Sequence, residues 1–113
     1  MAMTIPSKIT RGSAELAVLA LLEEQSLYGF EIAKRIEERT EGSLRFTMAS
    51  LYPMLYELEN RGLVQARWVT NPAGRDRRYY SLTPKGRRDL APLRLEWKAF
   101  FLALDQLTGF RHA

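Results

Sequence analysis

A chain of 113 residues, 46% hydrophobic and 27% charged, is long enough for one packed domain and too short for two cores of ordinary size. Cysteine is absent, which excludes a disulfide framework and thiolate metal ligation. The longest apolar run, Leu16 to Leu22, falls far short of the roughly 20 residues that span a bilayer, and the opening MAMTIPSKIT has no apolar leader stretch, so a soluble protein of the cytoplasm is expected.

Ser13 is a plausible N-cap for a first helix running to about Glu24, with Leu16, Leu19, Ala20 and Leu22 as its apolar face. Ser26-Leu27-Tyr28-Gly29 breaks that pattern. Phe30, Ile32, Ala33 and Ile36 resume it in a second helix that stops near Thr40-Glu41-Gly42. A third helix occupies MASLYPMLYELENRGL, with Leu51, Leu55 and Leu58 on one face and Gly62 just past its C-cap. If Ser50 is its N-cap, Pro53 falls in the first turn and loses no hydrogen bond; if Thr47 is, Pro53 lies one turn deeper and the backbone has to bend.

Val64–Val69 and Arg77–Leu82, rich in β-branched and aromatic residues, flank the turn-forming Asn71-Pro72-Ala73-Gly74 and predict a β-hairpin. Trp68 is assigned to core or hairpin packing. Thr83-Pro84 then supplies an N-cap and a proline at the first helical position, so the chain ends in a helix. In it Leu90, Leu93, Trp97, Phe100, Leu104 and Leu107 recur at alternating spacings of 3 and 4, a seam that suits a partner helix. Pro92 stands within this helix and is expected to kink or split it.

The expected fold class is therefore mainly α with a small β-hairpin: a winged helix-turn-helix domain over residues 1–82, followed by a C-terminal dimerisation helix over 83–113 that packs as part of the same unit. Charge is polarised along the chain. The segment from Glu23 to Glu41 holds six glutamates and three basic residues, whereas Arg75 to Arg88 holds six basic residues and one acid, within a net charge of +4.

In a winged helix the third helix enters the major groove and the hairpin lies on the flanking backbone. The third helix carries Ser50, Tyr52, Pro53, Tyr56 and Asn60 off its apolar face, none of them charged, so this surface approaches DNA without repulsion. Ser50 and Tyr52 are expected at the DNA. For Tyr56, DNA contact and capping of the core stay equally open. Arg75, Arg77 and Arg78, around the hairpin turn, are expected at phosphate or in the minor groove. A protein-binding winged helix with no DNA affinity is the alternative reading.

The three helices and hairpin complete a small core, which leaves Leu93, Trp97, Phe100, Leu104 and Leu107 for a second copy of the chain. A two-fold dimer sets its reading helices about 34 Å apart, matching a palindromic site in double-stranded DNA. Catalysis has no support: His112 is the sole histidine, and no carboxylate pair stands near a nucleophile. Glycine-rich phosphate loops and metal-ligand spacings are missing, so neither a cofactor nor a metal is expected.

Four stretches together resemble the PadR family of bacterial transcriptional regulators. They are Leu27-Tyr28-Gly29-Phe30-Glu31-Ile32; Ser50-Leu51-Tyr52-Pro53 with Leu55, Leu58, Glu59 and Gly62-Leu63; Arg77-Arg78-Tyr79-Tyr80-Ser81-Leu82-Thr83 with Gly86; and Trp97. The resemblance covers roughly Leu16 to Leu107, although Ala49 stands where the family often has glycine. It implies a winged-helix homodimer, often a repressor, that is released from a palindromic promoter site by a small molecule. It also implies that Ser50 and Tyr52 meet DNA and that the wing brings in Arg75, Arg77 and Arg78. The short last helix resembles the compact branch of the family, some of whose members hold flat aromatic drugs between paired tryptophans at the dimer interface; Trp97 is similar in position, which makes it the candidate effector-binding residue.

Overall fold

In the computed structural model of the chain, the backbone is described for residues 7–109 and the side chains from residue 12 onward; His112 lies outside the described residues. The elements run α1 (Ser7–Glu24), β1 (Leu27–Tyr28), α2 (Gly29–Arg39), α3 (Met48–Asn60), β2 (Val64–Val69), β3 (Arg77–Leu82) and α4 (Pro84–Thr108). This is the expected winged-helix order, with one addition. Leu27 and Tyr28 form a short strand, antiparallel to β3 through Leu27–Tyr80 and Tyr28–Tyr79, so the sheet has three strands in the order β1-β3-β2.

The core joins one face of every element: Val18, Leu19 and Leu22 of α1, Leu27, Ile32 and Ile36, Leu51, Leu55 and Leu58 of α3, Val64, Tyr80 and Leu82 of the hairpin, and Leu90 of α4. Burying a side chain of this size contributes about 1.5–3 kcal/mol, so the helical periodicity is enforced by packing rather than by propensity alone. Among the described residues no polar or charged side chain is fully buried.

Helix α1 begins at Ser7, upstream of the expected N-cap, and Ser13 is half-buried inside it. Gly12 normally weakens a helix. Here the indole of Trp97 lies directly over it: a Cβ on Gly12 would stand 2.8 Å from Trp97 Cζ2. This close approach, possible only without a side chain, ties α1 to α4 beyond the local helix signal.

At the end of α2, Glu41 takes the left-handed position with φ 52°, and Gly42 follows at φ 79°. The reversal is held by Gly42 N–H donating to the Glu37 carbonyl and Glu41 N–H to that of Glu38. Helix α3 ends in the same geometry with glycine where it is favoured: Gly62, at φ 76°, donates to Glu59, and Leu63 donates to Leu58.

Thr47 caps α3, its hydroxyl accepting the Ser50 N–H at 3.1 Å, so Pro53 is the sixth helical residue and not part of the first turn. Pro53 and Ala49 are both exposed, so the Ala49 carbonyl that loses its partner is left on the solvent side. The same explanation covers Pro92, which is exposed within an α4 that runs unbroken for 25 residues, about 37 Å at 1.5 Å per residue. The expected split does not occur. Gly109, at φ 71°, ends the helix.

The start of α4 is pinned to the α3–β2 turn. Thr83 caps it by accepting the Gly86 N–H at 3.0 Å while its hydroxyl donates to the Gly62 carbonyl at 2.6 Å. Gly86 itself lies so close that an added Cβ would collide with the Leu63 carbonyl oxygen.

Candidate nucleic-acid interface

Alternation along the hairpin puts Val64, Ala66 and Trp68 on one face of β2, opposite Leu82, Tyr80 and Arg78 of β3. This inner face enters the core at its base. The tip projects beyond the helices, and so Trp68, on the core side by alternation, is 67% exposed and not packed as expected. Phe30, expected within the apolar face of α2, is 59% exposed for a related reason: as the second residue of α2 it stands beside the hairpin and not over the core.

Between the hairpin and the N-terminal half of α3 lies an open groove of about 790 Å³. Tyr28, Phe30, Tyr52, Trp68 and Tyr80 form its aromatic walls, and Arg75, Asp76, Arg77 and Arg78 its polar side. Burial raises the pKa of the Tyr80 hydroxyl, against the opposing effect of the Arg78 charge, so it remains a neutral donor and acceptor at physiological pH.

Tyr52 is seated on Gly29: a Cβ there would stand 2.8 Å from its hydroxyl oxygen and 2.9 Å from ring carbons. Its other side faces solvent, with 46% exposure. Tyr56, one turn on, is 62% exposed and does not cap the core. Ser50 is exposed; its hydroxyl donates back to the Thr47 carbonyl at 3.0 Å, and its oxygen accepts from the Thr47 hydroxyl at 3.2 Å.

The three wing arginines are not equivalent. Arg75 is exposed near the turn and makes no ion pair among the described residues. The Arg77 guanidinium stacks on the Tyr28 ring, 4.5 Å from its centroid, and Tyr28 in turn meets Tyr79 edge to face at 5.4 Å. Arg78 turns inward and donates from Nη2 to both carboxylate oxygens of Glu59 on α3, at 3.0 and 3.1 Å. Neither its partner Glu59 nor the stacking of Arg77 was visible in the local sequence, because both contacts join elements far apart in the chain.

The seam of α4 divides. Leu93 packs against the core, Trp97 covers Gly12 and contacts Phe100 and Phe101, and Leu104 is half-buried. Phe100 is exposed and Leu107 is 84% exposed; Leu95 and Leu102 add further exposed apolar surface. Small clefts flank Trp97, one of about 300 Å³ with Glu96 and Phe100 and one of about 380 Å³ with Leu16 and Phe101. Among the described residues no cluster of three or more His, Asp or Glu could hold a metal ion.

The sequence pattern of the PadR-like transcriptional regulators matches residues 18–92, about two thirds of the chain. The chain belongs to the PadR-like family. An uncharacterized protein of Lysinibacillus sphaericus is 33% identical over 93 residues, spanning 82% of this chain and 85% of that protein. A transcriptional regulator from Clostridium thermocellum has a similar structure, with TM-score 0.83 and 27% identity over 93% of this chain and 99% of that one. So does a PadR family transcription regulator from Clostridium difficile, with TM-score 0.72 and 27% identity over 82% and 95% of the two chains. As a PadR-like protein the chain is a DNA-binding transcriptional regulator rather than an enzyme, and the groove between α3 and the wing is its candidate DNA interface.

Proposed function

We propose that this PadR-like protein is a repressor in the cytoplasm that binds a palindromic operator as a homodimer and leaves it when a small aromatic effector binds. The observation that carries the DNA reading is the juxtaposition of an uncharged α3 surface, presenting Ser50, Tyr52 and Tyr56, with the exposed wing arginines Arg75 and Arg77. Such a surface admits base edges, and the arginines neutralise phosphates beside it. Arg78 supports the wing through Glu59, and a phosphate that meets it competes with that carboxylate.

Homodimerisation is supported by the free apolar side of α4. Phe100 and Leu107 from the expected seam, with Leu95 and Leu102, form an exposed surface that a second α4 would cover. Leu93, Trp97 and Leu104 would then line the junction between α1 and α4 and the partner helix. The effector site would be the cleft at Trp97, where Phe100 meets the indole edge to face at 5.7 Å and a flat aromatic ring would find π surfaces on two sides. The cytoplasmic placement rests on the DNA target; no described helix is long and apolar enough to cross a membrane.

The test is binding of the protein to a duplex from its own upstream region, followed by fluorescence anisotropy as salt is raised. Affinity is expected to fall steeply with salt, and Arg75→Ala with Arg77→Ala should flatten the slope by about 0.9 for each phosphate contact removed. Salt-insensitive binding, or no binding to the duplex, would refute the reading.

A further inference from the structure

Besides Asp76 of the wing itself, Glu59 brings a carboxylate to the inner face of the wing, and it does so from the last turn of the reading helix. Its position needs a reason, because a carboxylate beside a phosphate-binding groove opposes the approach of DNA. Arg78 answers it: Nη2 lies 3.0 and 3.1 Å from the two Glu59 oxygens, both side chains are half-buried, and the guanidinium lies 5.7 Å from the centroid of the Tyr80 ring. A phosphate that meets Arg78 competes with a carboxylate already bound at Nη2, and finds the guanidinium charge compensated by it. Among the described residues Arg75 and Arg77 have no such carboxylate partner.

From this geometry we infer that Glu59 is a specificity-determining residue: it withholds the Arg78 charge from DNA phosphates and joins the wing to the reading helix in one orientation. Sequence-independent affinity comes from phosphate neutralisation, whereas discrimination comes from base contacts whose register the rigid body sets. Neutralising Arg78 internally lowers the first contribution. Bridging β3 to α3 preserves the second. The inference rests on the reading of the groove as the DNA interface.

The experiment compares wild type, Glu59→Gln, Arg78→Gln and the double variant by anisotropy on two duplexes of equal length, one from the upstream region and one unrelated, between about 50 and about 200 mM salt. Glu59→Gln, which frees the guanidinium, should bind the unrelated duplex several-fold more tightly at low salt. Its salt slope should steepen by about 0.9 per bound protomer, so that its advantage shrinks about 3.5-fold for each bound protomer across the range. Its preference for the upstream duplex should fall. The double variant removes both charges and should restore the wild-type slope, and thermal unfolding confirms that each variant is folded. An unchanged slope in folded Glu59→Gln overturns the inference, as does a slope shallower than wild type in the double variant, which would mean that Arg78 already reaches phosphate. Equal weakening on both duplexes would make the pair purely structural and also overturns it. If wild type binds neither duplex, the DNA reading itself fails, a result distinct from a binding wild type whose variants keep its slope.

Discussion

Gly29→Ala should separate DNA binding from stability. Gly29 opens α2 beneath the Tyr52 ring, and the added methyl would stand 2.8 Å from the tyrosine oxygen and 2.9 Å from Cε1 and Cζ. Ordinary carbon contacts are about 3.5–4.0 Å, so the ring has to give by roughly 0.5–1 Å. It has room to do so, because its other side is open to solvent. Tilting it about 30° from its rotamer costs on the order of 0.5–1.5 kcal/mol if the original pose has to be recovered on DNA, a loss of roughly two- to twelve-fold in affinity.

The effect on folding runs the other way. Gly29 is helical without a positive φ, so alanine is expected to contribute about 0.5–1 kcal/mol, which offsets the strain. Anisotropy on the upstream duplex and thermal unfolding would be read together, with Tyr52→Phe as the control that keeps the ring and removes the hydroxyl. Wild-type affinity in Gly29→Ala would refute the role given to the seated tyrosine. A loss of affinity matched by a large fall in melting temperature would show that the glycine serves the fold instead.

Two further substitutions probe the frame around the site. Gly86→Ala adds a Cβ that collides with the Leu63 carbonyl oxygen and approaches Leu82 Cδ2 to 3.0 Å, so α4 has to shift on its anchoring turn; destabilisation of about 1–3 kcal/mol is expected in denaturant titration, despite the better helix propensity of alanine. Leu107→Asp places a charge on a residue that is 84% exposed in the single chain and should leave the protomer folded while sedimentation shows monomers; an unaltered dimer would move the interface elsewhere on α4.

The features legible in the sequence share a physical origin in short-range interactions. The apolar spacing of Leu51, Leu55 and Leu58 predicts the buried face of α3, and Gly62 supplies the left-handed residue its end requires. Thr83-Pro84 marks the start of α4, and the two β-rich segments around Asn71–Gly74 mark the hairpin. Each signal acts within a few residues, through steric limits, capping or alternation, and so survives without knowledge of the fold.

Tertiary structure decided what depends on residues far apart. The two-residue strand Leu27–Tyr28 exists because β3 offers it an edge, and α1 extends past Gly12 with the Trp97 indole filling the glycine gap. Trp68 alternates correctly onto the inner face yet remains exposed, since only the geometry of the wing determines where the core ends. Pro92 does not divide α4, because the carbonyl it leaves unpaired lies on the solvent side. The three wing arginines are chemically identical in sequence. Their division into exposed Arg75, stacked Arg77 and carboxylate-bound Arg78 follows from Tyr28 and Glu59, brought to the hairpin by other elements of the fold.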